Sequence, residues 1–217
     1  INLALREKDT LQIGRTHGQH AEPITFGFAI AQYVGRLGPS IQRIRKSAKN
    51  LRGKMAGAVG AYNASGLFFE NPVQFEEEVM NELGLKASPI STQIVEAEFL
   101  VEYLNSIVSA FGVIANLADD MRHLQRNEIG EVGEYFEAKQ VGSSTMPQKR
   151  NPINFENVKS MWKEMVPRMM TMYMDQLSEH QRDLTNSASM RFIPEILAGF
   201  YVSVTRLQKA MSGLQVD

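Results

Sequence analysis

Three polar stretches of this sequence carry residue types that can move protons or bind anions. The first, residues 15–23 (RTHGQHAEP), holds two of the four histidines in the chain beside a threonine, an amide and a carboxylate. Histidine titrates near neutral pH, so His17 or His20 is suited to general acid–base catalysis. A capping segment ahead of a helix is the alternative interpretation. The His-x-x-His spacing also fits a metal pair, but no third ligand is evident and we expect no metal.

The second stretch is residues 142–152 (GSSTMPQKRNP), which lead into Glu156. Its small residues favour mobility, and its two prolines are incompatible with a continuous helix. Lys149 and Arg150 can donate to a carboxylate, and Asn151 supplies an amide. A loop of this kind can close over an anionic substrate. An ordinary linker is the alternative, but about ten residues is long for a connection between helices.

The third stretch is residues 180–191 (HQRDLTNSASMR). Arg182 and Arg191 offer forked donors, and Ser187 and Ser189 each offer a hydroxyl, so these residues can form a phosphate cradle. On a helix, Ser187 and Arg191 would share one face. The alternative is an N-terminal cap for the last helix, from Asp183, Thr185 or Asn186.

The composition restricts the class of protein. The chain has 217 residues, 43% of them hydrophobic, and its 23 Lys and Arg balance 24 Asp and Glu to a net charge of -1. Nucleic-acid binding proteins carry a basic excess, so we expect no nucleic-acid partner. The absence of cysteine excludes disulfides and thiolate chemistry. No apolar run approaches the roughly 18 to 20 residues of a membrane span. The chain starts without Met, and we expect it to be part of a longer protein.

Hydrophobic periodicity predicts one very long helix from residue 94 to about 127. Its apolar positions alternate in steps of three and four, as in helices that pack nearly parallel to one another. Such a helix is typical of bundles and oligomer cores. The seam consists of Leu100, Leu104, Ile107, Phe111, Ile114, Ala118 and Met121.

The other segments also predict helices, and no convincing strand pattern appears, so the predicted class is all-α. Residues 53–69 are rich in Gly and Ala and are predicted to be irregular. The further helices are one from Pro23 kinked at Gly38-Pro39, one at 72–83 closed by Gly84, one at about 153–180 bent at Pro167, and one at about 190–213.

Two clusters are interpreted as ordinary structure. The methionines of residues 161–174 are expected to fill the core rather than form a binding surface. The basic side chains after the kink are interpreted as a solvated face, with an anion site as the alternative. They are Arg43, Arg45, Lys46, Lys49, Arg52 and Lys54.

These motifs resemble those of a known family. Residues 142–152 resemble the signature loop of the fumarase/aspartase superfamily, and residues 15–23 resemble the corresponding segment of adenylosuccinate lyases. Residues 181–191 and 91–93 (STQ) are similar to their phosphate- and substrate-contacting segments. The resemblance implies a long-helix bundle that assembles into a tetrameric core, with each active site shared between subunits. Residues 1–217 would be the central helical lyase domain, inactive without the flanking domains.

The resemblance also implies the reaction and the roles of individual residues. The expected reaction is cytoplasmic elimination of fumarate from adenylosuccinate and from the succinylated aminoimidazole carboxamide ribotide, without a cofactor. His17 would be the general acid, hydrogen-bonded to Glu156, and Ser144, beside Ser143, the general base. The substrate would be held by Thr16, Gln93, Lys149, Asn151, Arg182, Ser187 and Arg191.

Two departures keep other members of the superfamily open. The signature loop has Gln148 where adenylosuccinate lyases mostly have His, and argininosuccinate lyases have Gln there. Residues 95–98 (VEAE) replace the basic residues usual after Gln93. Argininosuccinate lyase and 3-carboxymuconate cycloisomerase are therefore the alternative functions.

Overall fold

A computed structural model describes residues 1–136 and 144–217 of the chain. Within these ranges the α-helices are α1 (Asn2–Arg6), α2 (Phe26–Ala48), α3 (Pro72–Glu82), α4 (Glu98–Leu124), α5 (Ile153–Met165), α6 (Arg168–Met174) and α7 (Phe192–Ser212). The strands there are β1 (Leu11–Thr16), β2 (Gln19–Thr25), β3 (Arg52–Gly53), β4 (Lys86–Ala87), β5 (Val132–Gly133) and β6 (Gln215–Val216). Single 3₁₀ turns lie at Ser65–Leu67 and Ser189–Arg191.

The chain forms two compact units. Unit 1 contains residues 1–40, 109–164 and 199–217, and unit 2 contains residues 41–108 and 165–198. Helices α2, α4 and α7 each contribute one part to unit 1 and the other part to unit 2. Helices make up the body of both units, which confirms the predicted class. The strands that the sequence did not predict form three pairs: antiparallel β1–β2, parallel β3–β4 and antiparallel β5–β6.

The helix predicted from the heptad seam is α4. It spans Glu98–Leu124, slightly shorter than predicted, and its 27 residues extend about 40 Å at 1.5 Å per residue. Six of the seven seam residues are buried, and Leu100 is half-buried. The steps of three and four therefore identified the buried face along the whole helix.

Length and composition alone would also allow α4 to cross a membrane. The expectation that no apolar stretch reaches this length therefore needs correction. Within the most apolar 18-residue window of α4, 61% is buried inside the chain. A buried seam of this kind is the pattern of a core helix.

Polar contacts join the helices of unit 1 around α4. Tyr33 of α2 donates to Asp120, and its burial beside that carboxylate raises the Tyr33 pKa above its usual range. Arg36 of α2 donates to Asn116 over 2.7 Å. Phe111 packs against an aromatic ring of α7 with the centroids 5.6 Å apart. These contacts fix the second half of α4, which leads directly into the candidate site.

In unit 2, the buried carboxylate of Glu76 ties α3 to the segment that precedes it. Glu76 accepts hydrogen bonds from the backbone N–H of Met55, over 2.5 Å, and from the hydroxyl of Tyr62. The hydrogen bond to Glu76 raises the pKa of Tyr62 to about 12. Asn71 caps α3, and Gly84 follows it at a φ of 70°. The helix predicted at 72–83 is thereby confirmed, and Glu76 connects it to the irregular segment before it.

Proline positions account for the remaining differences from prediction. Pro23 lies in β2, because a two-stranded hairpin has only edge strands and these tolerate proline, so α2 starts at Phe26 instead. Pro39 lies inside α2 without ending it. Pro167 separates α5 from α6 rather than bending one helix, and α6 ends at Met174. The last helix is confirmed as α7.

The two clusters interpreted as ordinary structure behave largely as expected. Met165, Met169 and Met172 are buried, whereas Met170 and Met174 are exposed. The first four cations after the kink of α2 are exposed. Arg52 differs: its guanidinium lies 4.9 Å from the ring centroid of Phe99 and donates to the carbonyl of Ala87 over 3.2 Å.

Candidate active site

A cleft of about 1110 Å³ in unit 1 collects part of the predicted site. It is bounded by the end of α4, the segment around β5, the described part of the 142–152 signature loop and the first turn of α5. Lys149, Asn151 and Glu156 line this cleft, as predicted site residues. The other charged side chains of the lining are Arg122, Arg126, Glu128, Glu134 and Arg150.

The described part of the polar loop, residues 144–152, has no regular secondary structure, in keeping with its two prolines. A turn closes from the N–H of Lys149 to the carbonyl of Met146 over 3.0 Å. Ser144 and Lys149 are exposed and Asn151 is half-buried. Ser143 lies outside the described residues. The loop thus exposes the hydroxyl of Ser144 and the ammonium group of Lys149 to solvent in the single chain.

The tip of the β1–β2 hairpin carries His17. Thr16 pairs with Gln19, so His17 and Gly18 form a two-residue turn, with φ angles of 56° and 75°. Two-residue hairpin turns of type I′ require positive φ at both positions. Glycine adopts this conformation freely, and histidine is enriched there among other residues. The turn holds the imidazole of His17 exposed at the tip, and the segment is a hairpin rather than the helix cap considered as the alternative.

An ion pair anchors this hairpin beside the cleft. Arg15 Nη2 lies 2.5 Å from Glu131 Oε1, and Gln12 Nε2 donates to Glu131 Oε2 over 2.8 Å. Burial raises the pKa of Glu131, but hydrogen bonds from Arg15 and Gln12 outweigh it and hold the pKa below its usual range. Glu131 directly precedes Val132, which lines the cleft. No local pattern predicts this contact, because its partners are far apart in the chain.

A second ion-pair cluster ties α5 to α4. The carboxylate of Asp119 accepts from Lys159 Nζ over 2.6 Å and from Arg122 Nη2 over 2.7 Å. Burial raises the pKa of Asp119, but the hydrogen bonds from Lys159 and Arg122 prevail and lower it. One of the cleft arginines is therefore already paired, whereas Arg126, Lys149 and Arg150 are the other cations among the described residues of the lining.

The lowered pKa values of Asp119 and Glu131 predict that the folded protein loses stability in acid. A group with a depressed folded-state pKa stabilises the fold above its unfolded pKa, about 4, and loses this effect as the pH falls through the folded value. We expect Asp119→Asn to lower the urea midpoint of unfolding of the full-length protein at pH 7, with a smaller difference from wild type near pH 3. Glu77→Gln, an exposed change, is the control. An equal difference at both pH values would contradict the prediction.

The proposed His17–Glu156 pair is not made within one chain. Among the described residues, neither side chain has a hydrogen-bond partner in unit 1, and both are exposed. Glu156 lies in the first turn of α5, where its backbone N–H bonds to the carbonyl of Pro152 over 2.9 Å. A pair formed between subunits stays a prediction.

The Ser91–Gln93 segment in unit 2 is held by two residues that the sequence analysis did not assign to the site. Lys54 Nζ donates to the carbonyls of Thr92 and Gln93 over 2.5 and 3.0 Å. Gly60 has a φ of 80°, and a Cβ there would lie 1.9 Å from the carbonyl oxygen of Ser91. A close backbone approach therefore fixes this segment, with Gln93 exposed.

The third polar stretch in unit 2 is a turn rather than a helix. Asp183 Oδ1 accepts from the N–H of Thr185 over 2.9 Å, so Asp183 caps a turn and not the last helix, which was the alternative interpretation. The 3₁₀ turn starts at Ser189, so Ser187 and Arg191 do not share a helix face. These hydrogen bonds satisfy local backbone groups, which competes with helix formation.

Arg182 has the one positive φ among the described residues of this stretch, 105°, and lines a pocket of about 350 Å³. The buried carboxylate of Asp175 accepts from the hydroxyl of Ser189 over 2.6 Å, and its backbone carbonyl accepts from Asn186 over 2.7 Å. These contacts brace the backbone on both sides of the exposed Ser187. Ser187 and Arg191 are not among the described residues that line this pocket.

Comparisons with known proteins bear on the family. Residues 2–166 match the family model described as Lyase. The adenylosuccinate lyase of Pyrococcus abyssi is 37% identical over 215 residues, covering 98% of this chain and 47% of that protein. That of Archaeoglobus fulgidus is 41% identical over 189 residues, covering 87% of this chain and 42% of that protein. The chain thus spans about half the length of the curated relatives it matches.

Solved structures show the same fold. The 3-carboxy-cis,cis-muconate lactonizing enzyme of Pseudomonas putida superposes with a TM-score of 0.87 at 27% identity, over 100% of this chain and 48% of that one. The fumarate lyase of Mesorhizobium sp. BNC1 superposes with a TM-score of 0.82 at 22% identity, over 99% and 47%. The resemblance drawn from the polar segments is confirmed, and the chain belongs to the lyase family.

Proposed function

We propose that the full-length protein eliminates fumarate from adenylosuccinate, giving AMP, and from the succinylated aminoimidazole carboxamide ribotide. The observation that carries the proposal is the cleft lined by Lys149 and Asn151 of the signature loop together with Glu156. The similarity to adenylosuccinate lyases over nearly the whole chain supports the purine substrate.

The elimination needs a base that removes a proton from one carbon and an acid that protonates the leaving nitrogen. Ser144 removes the weakly acidic proton beside a succinyl carboxylate, and His17 protonates the purine-bound nitrogen as the C–N bond breaks. The exposed positions of both groups suit residues whose partners come from other subunits and from substrate. Glu156 is proposed to hydrogen-bond His17 across such a subunit boundary.

Charge stabilisation comes from the cleft. Loss of the proton builds extra negative charge on the succinyl carboxylate, and donors aimed at that charge lower the barrier most in a site that excludes water. Lys149 and Asn151 supply these donors in the described cleft. Thr16 and Gln93 add contacts to the succinyl part.

The nucleotide phosphate is assigned to Arg182, Ser187 and Arg191. Arg guanidinium groups bind phosphate through paired N–H donors, and the serine adds a hydroxyl. The bracing of the turn around Ser187 by Asp175 supports a preformed anion site. The positive φ of Arg182 supports a functional constraint on that residue, because such strain concentrates at sites of function.

Assembly and location are part of the same proposal. We expect residues 1–217 to be the central domain of a cytoplasmic homotetramer with shared active sites, and to be inactive without the flanking domains. No nucleic-acid or membrane partner and no cofactor are proposed. Light scattering of the full-length protein should show a tetramer, whereas a monodisperse monomer would contradict shared sites.

Two alternatives within the superfamily have observations in their favour. Gln148 is typical of argininosuccinate lyases, and the Pseudomonas putida lactonizing enzyme shares the fold at a TM-score of 0.87. The direct test offers purified full-length protein adenylosuccinate, argininosuccinate and 3-carboxy-cis,cis-muconate in separate assays. Fumarate release from adenylosuccinate supports the proposal, and turnover of only one of the other substrates overturns it.

A further inference from the structure

A buried carboxylate with no assigned role lies at the start of α5. Glu134 is 7% exposed, and its carboxylate accepts three hydrogen bonds. Oε1 accepts from the backbone N–H groups of Asn154 and Phe155, each over 2.9 Å. Oε2 accepts from Asn154 Nδ2 over 2.7 Å.

This arrangement explains why an acidic side chain can be buried here. Burying a carboxylate is costly unless hydrogen bonds replace its water. The first N–H groups of a helix have no partner within the helix, and the helix dipole favours negative charge at that end. Glu134 therefore acts as an N-terminal cap for α5, contributed from 20 residues earlier in the chain.

Glu134 also belongs to a wider hydrogen-bond network that reaches the signature loop and α7. The N–H of Glu134 donates to Gln125 Oε1 over 2.9 Å, and Gln125 Nε2 donates to the carbonyl of Arg150 over 3.4 Å. Asn154 Oδ1 accepts from Arg206 Nη1 over 3.1 Å. The end of α4 thus holds both the signature loop and the first turn of α5.

We propose that Glu134 is a positioning residue, which sets the signature loop and Glu156 in register for catalysis. The catalytic effect of Glu134 rests on the proposed function, whereas its effect on the position of the loop rests on the observed hydrogen bonds alone. Asn151 lies three residues before the capped Asn154, and Glu156 lies two residues after it. Release of this cap would move both groups, and misplacement of about 1 Å can cost about a hundredfold in rate.

Reversal of hydrogen-bond polarity tests the proposal in the full-length protein. In Glu134→Gln, the new amide faces Asn154 Nδ2, so two donors meet. In Glu134→Gln/Asn154→Asp, the residue at 154 becomes an acceptor for the new amide and pairs with Arg206. The side-chain bond is thereby restored with donor and acceptor exchanged, while the two backbone N–H groups still donate to the oxygen of the residue at 134. Glu77→Gln, at an exposed position of α3, is the matched control.

We expect Glu134→Gln to lower kcat by about 30- to 100-fold with KM changed less than about threefold, since ground-state binding is affected less than alignment. The double variant should recover most of kcat, and Glu77→Gln should match wild type. Amide hydrogen exchange at residues 149–156 should accelerate in the single variant and return toward wild type in the double variant.

The alternatives are separable. A wild-type kcat for Glu134→Gln overturns the proposal, as does a double variant that regains thermal stability without regaining kcat, since the role is then only structural. If the single variant does not fold, the double variant provides the test. A kcat close to wild type then supports the proposal, and a kcat that stays low in a folded double variant overturns it. If the wild-type protein releases no fumarate from adenylosuccinate, the proposed function fails, and hydrogen exchange alone decides whether Glu134 positions the loop.

Discussion

The Ser144→Ala variant of the full-length protein is expected to lose about a thousandfold or more in kcat on adenylosuccinate, with KM within a few-fold of wild type. Ser144 is the proposed base for proton abstraction, and it is not proposed to bind the substrate carboxylates. Its loss should therefore affect kcat much more than KM. Lys149 and Asn151, which are proposed to bind the succinyl group, remain in the cleft. Steady-state fumarate release over a range of substrate concentrations separates the two constants.

Ser212→Ala provides the comparison for this variant. Ser212 lies at the end of α7, is exposed and donates only to the carbonyl of Gln208, over 2.8 Å. Its activity should equal that of wild type. Should Ser144→Ala keep more than about a tenth of the wild-type kcat, the base is another group and the role of the loop must be reassigned.

The second large effect is expected for His17→Asn, with kcat reduced about 100- to 1000-fold through loss of the general acid. Asparagine is chosen because it tolerates the positive φ of this turn, so the hairpin keeps its conformation while the imidazole is removed. A loss of rate can then be assigned to proton transfer and not to a displaced turn.

An exposed histidine outside the proposed machinery, His180, gives the matched substitution His180→Asn. It should leave kcat unchanged. Circular dichroism and light scattering should show the same fold and assembly for both variants. Equal rates for His17→Asn and wild type would remove His17 from the mechanism and leave the leaving nitrogen without its proposed proton donor.

Much of the helical scaffold follows from sequence pattern, because hydrophobic periodicity reports burial directly. The seam of α4 was buried as its spacing indicated, and Gly84 marked the end of α3. The hairpin was missed because residues 11–25 have few strand-forming side chains on alternate positions. Its signal was the His17-Gly18 turn, which depends on turn chemistry rather than on periodicity.

The candidate site was only partly accessible to sequence reasoning. Motif types located Lys149, Asn151 and Glu156, and the structure brings them into one cleft. Glu131 and Glu134 escaped notice because their partners lie far away in the chain and no local pattern distinguishes them from surface acids. Lys54 was interpreted as part of a solvated face, although its ammonium group donates to two backbone carbonyls near Gln93.

The close approach of Gly60 to Ser91 has a consequence for mutational tolerance. With only 1.9 Å between a hypothetical Cβ and the carbonyl oxygen of Ser91, even alanine would push the Ser91–Gln93 strip away from its place. In a saturation mutagenesis survey selected for growth, position 60 should therefore tolerate substitution as poorly as an active-site residue does. This is expected although Gly60 has no side chain that could contact a substrate. Intolerance at such a position reports on space between two backbones.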